Sequence, residues 1–351
     1  MTIADPQSSR PRGATLEEVA KLAGVSRATV SRVVNGSPRV SGEVRRSVET
    51  AVAQLGYIPN RAARSLVTRR SGSIAVVITE PSGRLFSDPF FPRLLRGISA
   101  SMAGRDVQVV LLMPENVADS QRTADYLAAG HVDGAVLVSL HGDDPLPGRI
   151  AAARIPTVVV GRPIRDSGVS FVDVDNRGGA RSAVAHLVGG GRRVIATIGG
   201  TLDMAVGTDR LAGYRDAIAD AGLSADRTLE AMADFTQDGG AAAMARLLAA
   251  RPDIDAVFAA SDLMAAGAMS VLDAAGRRVP DDVAIVGYDD SPVAATSRPP
   301  LTSVRQPIEE MGQATARLLL DLVDGTDRAP RRVILATELI RRASSAGRAM
   351  P

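Results

Sequence analysis

The spacing of hydrophobic positions divides the chain into a short helical segment and a long alternating one. In residues 15–55, apolar side chains recur every three or four positions, which is the period of an amphipathic helix. From Ser73 onward, short continuous apolar runs alternate with helical stretches. Continuous apolar strands are typical of a parallel sheet covered by helices on both faces. The pattern predicts a small all-α unit followed by a doubly wound α/β body.

The helical segment begins with two short helices and a tight turn. Thr15 and Glu18 have the spacing of a capping box, which starts the first helix. Gly24 ends it, because glycine enters the left-handed conformation at little cost. Ser26 then caps a second helix, in which Val30 faces inward. This is a helix-turn-helix, whose second helix can enter a major groove of DNA. The alternative is an ordinary core pair, but the second helix carries no acidic residue, which favours DNA.

A third helix and a basic segment follow. Ser41 caps the third helix, Leu55 lies at the end of its buried stripe, and Gly56 ends it. The residue before a proline avoids the helical region, so residues 57–59 are expected to be extended. Residues 60–66 are basic and too few to form a core. They are either a plain linker or a helix that folds only on DNA.

The body shows two successive sets of strand–helix units, which predict two doubly wound lobes. Ligands bind at the carboxyl ends of parallel strands, so two facing lobes form a cleft that binding can close. The predicted strands are Ile74–Ile78, Val107–Leu112, Ala135–Val138, Thr157–Val160, Val194–Ile198, Ala256–Ala259 and Val283–Gly287, and the predicted helices include Pro92–Met102, Asp209–Ala221 and Leu263–Ala274.

Composition and charge narrow the function. The 351 residues contain no Cys and only three His, which excludes disulfides, thiolate metal sites and thiol nucleophiles. Residues 1–70 carry twelve Lys and Arg against five Asp and Glu, a net charge of +7, and the remainder carries −5. A basic head on a mildly acidic body indicates a polyanionic partner at one end. A basic tail without a partner is the alternative.

The chain contains no apolar run long enough to cross a membrane, and its first residues lack the apolar core of a signal peptide. We therefore expect a cytoplasmic protein that makes no membrane contact.

Residues 15–66 resemble the headpiece of the lactose/galactose repressor (LacI/GalR) family of bacterial transcription regulators. The matching segments are 23–26, 29–33, Asn35, 40–41, 56–60 and 63–66, and the body motifs that extend the resemblance are 88–91, 133–134, 209–214, 287–290 and 299–307. The implied fold is an all-α helix-turn-helix headpiece and hinge helix, followed by a two-lobed, doubly wound α/β effector domain like a periplasmic sugar-binding protein.

The resemblance also implies a division of the chain. We expect a disordered extension at 1–14, the headpiece at 15–59, the hinge helix and linker at 60–70, an effector-binding and dimerisation domain at 73–340, and a flexible tail at 341–351. Within that domain, lobe 1 is expected at about 73–174 and 306–332, and lobe 2 at about 175–303 and 333–340.

The DNA-binding positions are carried over from the family residue by residue. Arg27 and Ala28 occupy the two positions that distinguish operators, and Arg32 reads a base further along. Arginine can pair bidentately with guanine, whereas alanine touches only a thymine methyl group or leaves room. Leu66 matches the apolar side chain that wedges into the minor groove. The complete implied set is Thr15, Ser26, Arg27, Ala28, Thr29, Ser31, Arg32, Asn35, Tyr57, Asn60, Ala63 and Leu66.

Effector-binding positions are implied by the same resemblance together with the strand ends. They are Phe90, Phe91, Arg210, Phe235, Ser261 and Asp289. Ser261 stands where many relatives carry asparagine, which weakens any transfer of a particular sugar. Arg210 could instead cap a helix or pair with Asp209, and Phe91 could be an ordinary core residue. Asp290 is read as a turn residue rather than a ligand contact.

The expected function is sequence-specific transcriptional regulation, most simply repression, by a homodimer on a palindromic double-stranded DNA operator. A small molecule between the lobes, expected to be a carbohydrate, controls it, and no cofactor or metal is expected. Control by a protein partner or by a metabolite such as a nucleobase is the alternative. A solute-binding protein is opposed by the headpiece, and an enzyme by the absence of a catalytic motif.

Overall fold

The computed structural model describes residues 14–58, 70–142, 144–165, 168–326 and 329–346, and it divides into two compact units that meet in the chain between Ser71 and Gly72. The expected N-terminal extension lies outside these residues except for Ala14. The hinge, with Asn60, Ala63 and Leu66, also lies outside them.

The first unit contains three helices within residues 14–58: α1 (Leu16–Ala23), α2 (Arg27–Val34) and α3 (Gly42–Leu55). The capping box of Thr15 and Glu18 is confirmed, because each side chain accepts a hydrogen bond from the other residue's backbone N–H. Gly24 adopts the left-handed conformation at φ 67° and ends α1. Ser26 and Ser41 accept hydrogen bonds from the backbone N–H three residues on, so both predicted caps are confirmed.

Small aliphatic side chains from all three helices form the core of this unit. Val19, Val30 and Val48 are completely buried there. Tyr57, expected only as a phosphate contact, is 8% exposed and packs into this core. Leu55 was expected on the buried stripe of α3, but it is 37% exposed because the helix ends at that residue, beyond the reach of α1 and α2.

Lobe 1 of the second unit is a six-stranded parallel sheet in the order β11-β5-β4-β3-β1-β2 among the described residues. Apolar clusters cover both of its faces, as the continuous apolar strands predicted. Its strands are β1 (Ser73–Ile78), β2 (Gln108–Leu112), β3 (Gly134–Val138), β4 (Thr157–Val160), β5 (Ser170–Val174) and β11 (Arg332–Leu335), and its helices are α4 (Ser82–Ser87), α5 (Phe90–Met102), α6 (Val117–Ala128), α7 (Leu146–Ala152) and α13 (Ile308–Asp324).

Lobe 2 repeats the architecture with the order β12-β10-β9-β8-β6-β7, in which only the β10–β12 pair of the described strands is antiparallel. Its strands are β6 (Ile195–Gly199), β7 (Glu230–Met232), β8 (Ala256–Ala259), β9 (Ala284–Asp289), β10 (Thr302–Arg305) and β12 (Glu338–Ile340), and its helices are α8 (Asn176–Gly189), α9 (Ala205–Asp220), α10 (Gln237–Ala250), α11 (Asp262–Ala274) and α12 (Pro292–Thr296). None of the described helices combines the length and apolarity needed to cross a membrane.

The last crossing between the lobes differs from the sequence-based expectation. Residues from 333 onward were assigned to lobe 2, but Val333, Ile334 and Leu335 belong to β11 and pair with β5 in lobe 1. The assignment was wrong because β11 is an edge strand whose exposed and half-buried positions alternate, so it lacks a continuous apolar run. The chain therefore crosses to lobe 2 at residues 336–337.

The expectation of a flexible tail is wrong for residues 341–346. A 3-10 turn at Ala343–Ser345 packs on lobe 2, where Ser344 and Ser345 are buried. The Ser344 hydroxyl accepts from the backbone N–H of Thr302 and donates to the carbonyl oxygen of Ile285. Polarity indicated a frayed end, but these hydroxyls complete hydrogen bonds inside the lobe.

Candidate DNA-recognition surface and effector cavity

The second helix of the helix-turn-helix presents small polar and basic side chains to solvent. Ser26, Arg27, Ala28, Arg32 and Asn35 are exposed, whereas Thr29 and Ser31 are half-buried and Thr15 is exposed at the start of α1. The predicted inward position, Val30, is completely buried. The local fold therefore directs the base-reading candidates outward from one rigid helix.

Hydrogen bonds along α2 fix several of these side chains before any DNA binds. The hydroxyls of Ser26 and Thr29 lie 2.9 Å apart, and the Asn35 amide donates to the Ser31 hydroxyl over 3.3 Å. Arg27 Nε lies 3.1 Å from Glu17 Oε1, with both side chains more than half exposed. An ion pair so open to water is worth little, so Arg27 can leave it for a base edge.

A cavity lies between the two lobes of the second unit, at the carboxyl ends of strands from both sheets. It encloses about 770 Å³ of space free of atoms, including its opening to solvent. The structure brings all six sequence-predicted effector residues to its wall: Phe90, Phe91, Arg210, Phe235, Ser261 and Asp289. They come from four helices or loops and one strand, over 200 residues of chain.

Arg210 forms the polar centre of the wall. Its guanidinium lies 3.6 Å above the Tyr288 ring, donates from Nε to Asn176 Oδ1 over 2.9 Å, and donates from Nη1 to the carbonyl oxygen of Ala260 over 2.6 Å. Nη1 also lies 3.5 Å from Asp289 Oδ1. Helix α9 was expected to begin at Asp209, but it begins at Ala205. Arg210 therefore lies in its second turn and not at its start. A guanidinium held on so many sides is rigid and shapes the cavity.

Asp289 ends β9 with φ 107°, a conformation that side chains other than glycine rarely adopt. The Gln306 amide donates to its Oδ1 over 2.5 Å. Burial raises the pKa of the Asp289 carboxyl against the opposing charge of Arg210, and the nearby carboxyls of Asp262 and Asp88 raise it further. The described residues give its second oxygen, Oδ2, no hydrogen-bond donor, so a hydroxyl of a bound molecule would stabilise the charged form.

Aromatic faces supply the apolar part of the wall from both lobes. The rings of Phe90 and Phe91 meet edge to face, with centroids 5.4 Å apart. Phe91 is 1% exposed and belongs to the lobe 1 core, as the alternative reading has it, and it also lines the cavity, so its contact with an effector stays a prediction. From lobe 2, Phe235 adopts a left-handed backbone conformation, and the guanidinium of Arg84 lies 5.1 Å from its ring centroid.

Two residues that sequence analysis treated cautiously have clear structural roles. The Ser261 hydroxyl caps α11 by accepting from the backbone N–H of Met264 over 3.2 Å, and the residue still lines the cavity. Asp290 does not line the cavity. Its carboxylate accepts hydrogen bonds from Arg305 over 2.7 Å and from Arg342 over 2.5 Å.

Several polar residues of the wall were not among the positions expected from the sequence. The signal for two of them was the end of a predicted strand, because Ser139 follows β3 and Arg162 follows β4. Burial raises the pKa of Asp88 and of Asp173, as it does for Asp289, so three carboxyls share a poorly solvated space. The missed polar residues of the wall are Arg84, Asp88, Ser139, Arg162, Asp173, Asn176 and Gln306.

One ion pair joins the lobes directly beside the cavity. Arg162 of lobe 1 donates to both carboxylate oxygens of Asp209 in lobe 2 over 2.6 Å each. Asp209 therefore pairs across the cleft and not with its neighbour Arg210, which answers the alternative left open by the sequence. Such a bond forms only when the lobes face each other closely.

Comparison with known families and proteins supports both units. Residues 15–60 match the model of bacterial regulatory proteins of the lacI family, and residues 184–345 match that of the periplasmic binding protein-like domain. The HTH-type transcriptional regulator CelR of Thermobifida fusca is 51% identical over 337 residues, which cover 95% of this chain and 99% of the relative.

Solved structures with the same two-part architecture are also similar. A complex of the transcriptional regulator CelR with cellobiose matches with a TM-score of 0.77 at 49% identity, covering 94% of this chain and 99% of that one. The lac repressor dimer bound to operator and to the anti-inducer ONPF matches with a TM-score of 0.84 at 28% identity, covering 95% and 99% of the two chains.

Proposed function

Since this chain belongs to the lacI family of bacterial regulatory proteins, and is a DNA-binding transcriptional regulator rather than an enzyme, we propose that it is a sugar-controlled repressor. It binds a palindromic operator as a homodimer and responds to an uncharged sugar held between its lobes. The observation that carries the proposal is the single interlobe cavity wall on which all six expected effector residues meet. Its site of action is the cytoplasm, on chromosomal DNA.

Base reading is assigned to the exposed N-terminal part of α2. Arg27 and Arg32 read guanine edges, and Ala28 admits a thymine methyl group. The polar side chains around them position the helix on phosphates without specifying sequence. Those positioning residues are Thr15, Ser26, Thr29, Ser31, Asn35 and the hydroxyl of Tyr57.

The hinge residues Asn60, Ala63 and Leu66 lie outside the described residues, so their roles rest on the family resemblance. In the proposal they fold on the operator, and Leu66 wedges a central base step. Leu66→Ala is then expected to weaken operator binding far more than non-specific binding in a fluorescence anisotropy titration. An equal loss on both kinds of DNA would reject the hinge role.

The charge balance of the cavity favours an uncharged effector. The three guanidinium groups in the wall are already engaged by carboxylates: Arg210 by Asp289, Arg162 by Asp209 and Arg84 by Glu80. A phosphate or carboxylate of a ligand would therefore compete with these carboxylates for each guanidinium, and its desolvation would be costly. The raised pKa values of Asp88, Asp173 and Asp289 indicate the same preference, because added negative charge would raise them further.

Hydroxyl groups suit the same wall. Asp88 Oδ1 accepts a hydrogen bond from the backbone N–H of Phe90. The described residues supply no other hydrogen-bond donor to Asp88, and none to Asp289 Oδ2. Both carboxyls can therefore accept from a polyol, and Phe90 and Phe235 offer flat apolar faces to a sugar ring. Cellobiose, which the similar CelR binds in its solved complex, is the specific ligand that we propose.

Two titrations on the full-length protein test the proposal. Isothermal titration calorimetry with cellobiose, and with glucose 6-phosphate as a charged control, is expected to show binding of cellobiose only. An operator selected from a random duplex library is then expected to lose affinity as cellobiose is added, in a fluorescence anisotropy titration.

Each other outcome has a definite meaning. Binding of a nucleobase but no sugar would replace the carbohydrate by the alternative metabolite class. Operator release by no small molecule, but by a protein recovered from the host, would reject the cavity as the control site.

A further inference from the structure

A second contact joins the lobes at a histidine that the sugar site does not use. His141 follows β3 in lobe 1, and its imidazole lies between two carboxylates. Nε2 lies 3.2 Å from Oε1 of Glu80, which follows β1 in the same lobe. Nδ1 lies 2.8 Å from Oδ2 of Asp203, which precedes α9 in lobe 2. The backbone N–H of Gly142 also donates to the carbonyl oxygen of Asp203 over 2.7 Å.

We propose that His141 is a positioning residue that holds the two lobes closed on the effector by bridging Glu80 and Asp203. The proposal rests on the effector site proposed above, but the bridge itself is defined by atoms of this chain alone. It gives the protein a closure whose strength depends on pH.

The two hydrogen bonds require a charged imidazole. A neutral imidazole carries one N–H and one lone pair, so it can donate to only one of two ionised carboxylates. The other contact would place a lone pair against a carboxylate oxygen. Imidazolium donates from both nitrogens, and its hydrogen bonds to carboxylates are the stronger kind. The closed arrangement therefore favours the protonated form of His141.

The surroundings of the ring agree with this. The hydrogen bond to Glu80 raises the pKa of His141 above its ordinary value, burial opposes the rise, and the hydrogen bond to Asp203 adds to it. Arg84 of α4 shares Glu80 Oε1 over 2.7 Å and offsets part of that negative charge. Asp144, next to α7, approaches through its backbone N–H, which donates to the His141 carbonyl oxygen. The side chain is 33% exposed, so protons can reach it.

The sign of the pH dependence follows from the raised pKa. The stabilisation of the closed state is complete below about pH 6.5, the ordinary value, and is lost as the pH rises through the raised pKa. The Arg162–Asp209 pair also joins the lobes, so closure does not depend on His141 alone. Asp289 and Asp88 act in the opposite direction. Their charged forms accept a sugar hydroxyl, so their contribution to sugar affinity rises with pH. A comparison of variants separates the two effects.

Calorimetry with cellobiose at about pH 6 and about pH 9 tests the bridge. His141→Gln and Asp203→Asn are each expected to weaken binding about three- to tenfold at the lower pH, as for a partly exposed charged hydrogen bond. Both variants should lose much less affinity at the higher pH, where neutral imidazole keeps at most one of the two bonds, and the double variant should lose no more than either single one. A His141→Gln protein with the wild-type pH profile would overturn the proposal.

His186 provides the matched control. It lies on α8 in lobe 2, its Nε2 is 2.8 Å from the Ser345 hydroxyl, and burial lowers its pKa. It makes no described bond to lobe 1, and its pKa is shifted below the ordinary histidine value, whereas that of His141 is shifted above it. His186→Gln is therefore expected to keep the wild-type pH profile, and loss of that profile would show that the pH effect is not specific to the bridge.

A second measurement needs no sugar and so distinguishes failure of the bridge from failure of the effector assignment. Because the sequence contains no Cys, Gln121→Cys on α6 and Ala249→Cys on α10 label one exposed position in each lobe. An excess of unlabelled protein ensures that energy transfer is measured between the two fluorophores of one chain. That transfer is expected to fall as the pH rises from about 6 to about 9, because the lobes move apart. Adding His141→Gln should abolish that change, and an equal change with the substitution would reject the bridge even if cellobiose binds normally.

Discussion

The headpiece is held together by contacts between residues that are close in sequence, whereas the interlobe cavity is formed by residues that are far apart in sequence. The headpiece core closes within residues 14–57, and each of its helices starts at a cap that bonds three residues away. The cavity wall joins residues from Arg84 to Met311, contributed by both lobes. Local rules determine the first region, whereas the second exists only after two sheets have folded and faced each other.

The difference separates recognition from control. A unit with its own core holds α2 in place through contacts within residues 14–57. A cavity shared by two lobes responds to whatever changes the contact between them, including a ligand and the bonds of Arg162 and His141 across the cleft. A substitution in one region should therefore leave unchanged the fold of the other region and its binding when the first region's ligand is absent.

The largest expected effect is on effector binding through Asp289. Asp289→Asn replaces the carboxyl that faces Arg210 and removes the charged form, which can accept a hydrogen bond from a sugar hydroxyl. We expect about 100-fold weaker cellobiose binding by calorimetry, in line with about 3 kcal/mol for a buried charged hydrogen bond, and unchanged operator affinity. Asp290→Asn, one residue on and outside the cavity wall, is the control. Operator release by cellobiose in the Asp289 variant would contradict the assignment.

The contrast between local and long-range contacts also explains which features could be predicted from the sequence. Caps and the turn of the headpiece, such as Thr15 with Glu18 and Gly24, were predictable because each depends on one or two nearby side chains. In the body, continuous apolar strands were predicted, but β5 and β10 were not, because polar residues such as Asp173 and Ser303 are buried in them.

The missed wall residues follow from the missed strands. Asp173 lies in β5, Asn176 follows it, and Gln306 follows β10, so no strand end marked them. Ser139 and Arg162 follow predicted strands and could have been found by the same rule that located Asp289. The pairing of Arg162 with Asp209 across the lobes could not be predicted, because it depends on how two sheets face each other.

The next largest effect is in the headpiece core. Val30→Ala removes two methyl groups from a completely buried position and is expected to destabilise the headpiece by about 2 kcal/mol. Val34→Ala, on the same helix but half-buried, should cost clearly less. Operator affinity measured by anisotropy should fall for Val30→Ala, while cellobiose binding stays at the wild-type value. A parallel loss of cellobiose affinity would mean that the two regions are not independent.

A smaller effect is expected in base reading by Arg27. Arg27→Ala leaves the fold intact, because the side chain is exposed and, among the described residues, its ion pair is the exposed one with Glu17. We expect the preference at one operator position to relax by about 1–2 kcal/mol, the value of one bidentate contact to guanine. Arg39→Ala, exposed and beyond the end of α2, should change affinity for all sequences alike. An unchanged preference matrix for Arg27→Ala would remove this residue from the reading set.

The smallest expected effect concerns the N-cap of α1, and it tests whether this local hydrogen bond stabilises the headpiece. Thr15→Ala removes the side chain that accepts from the Glu18 N–H at the start of α1, and should lower headpiece stability by about 1 kcal/mol. The same substitution at Thr50, inside α3 with its hydroxyl bonded to the Arg46 carbonyl oxygen, should be neutral or slightly stabilising, because alanine favours the helix interior. Thermal unfolding followed by circular dichroism measures both. Equal losses at the two threonines would mean that general loss of the side chain, and not the cap, sets the start of α1.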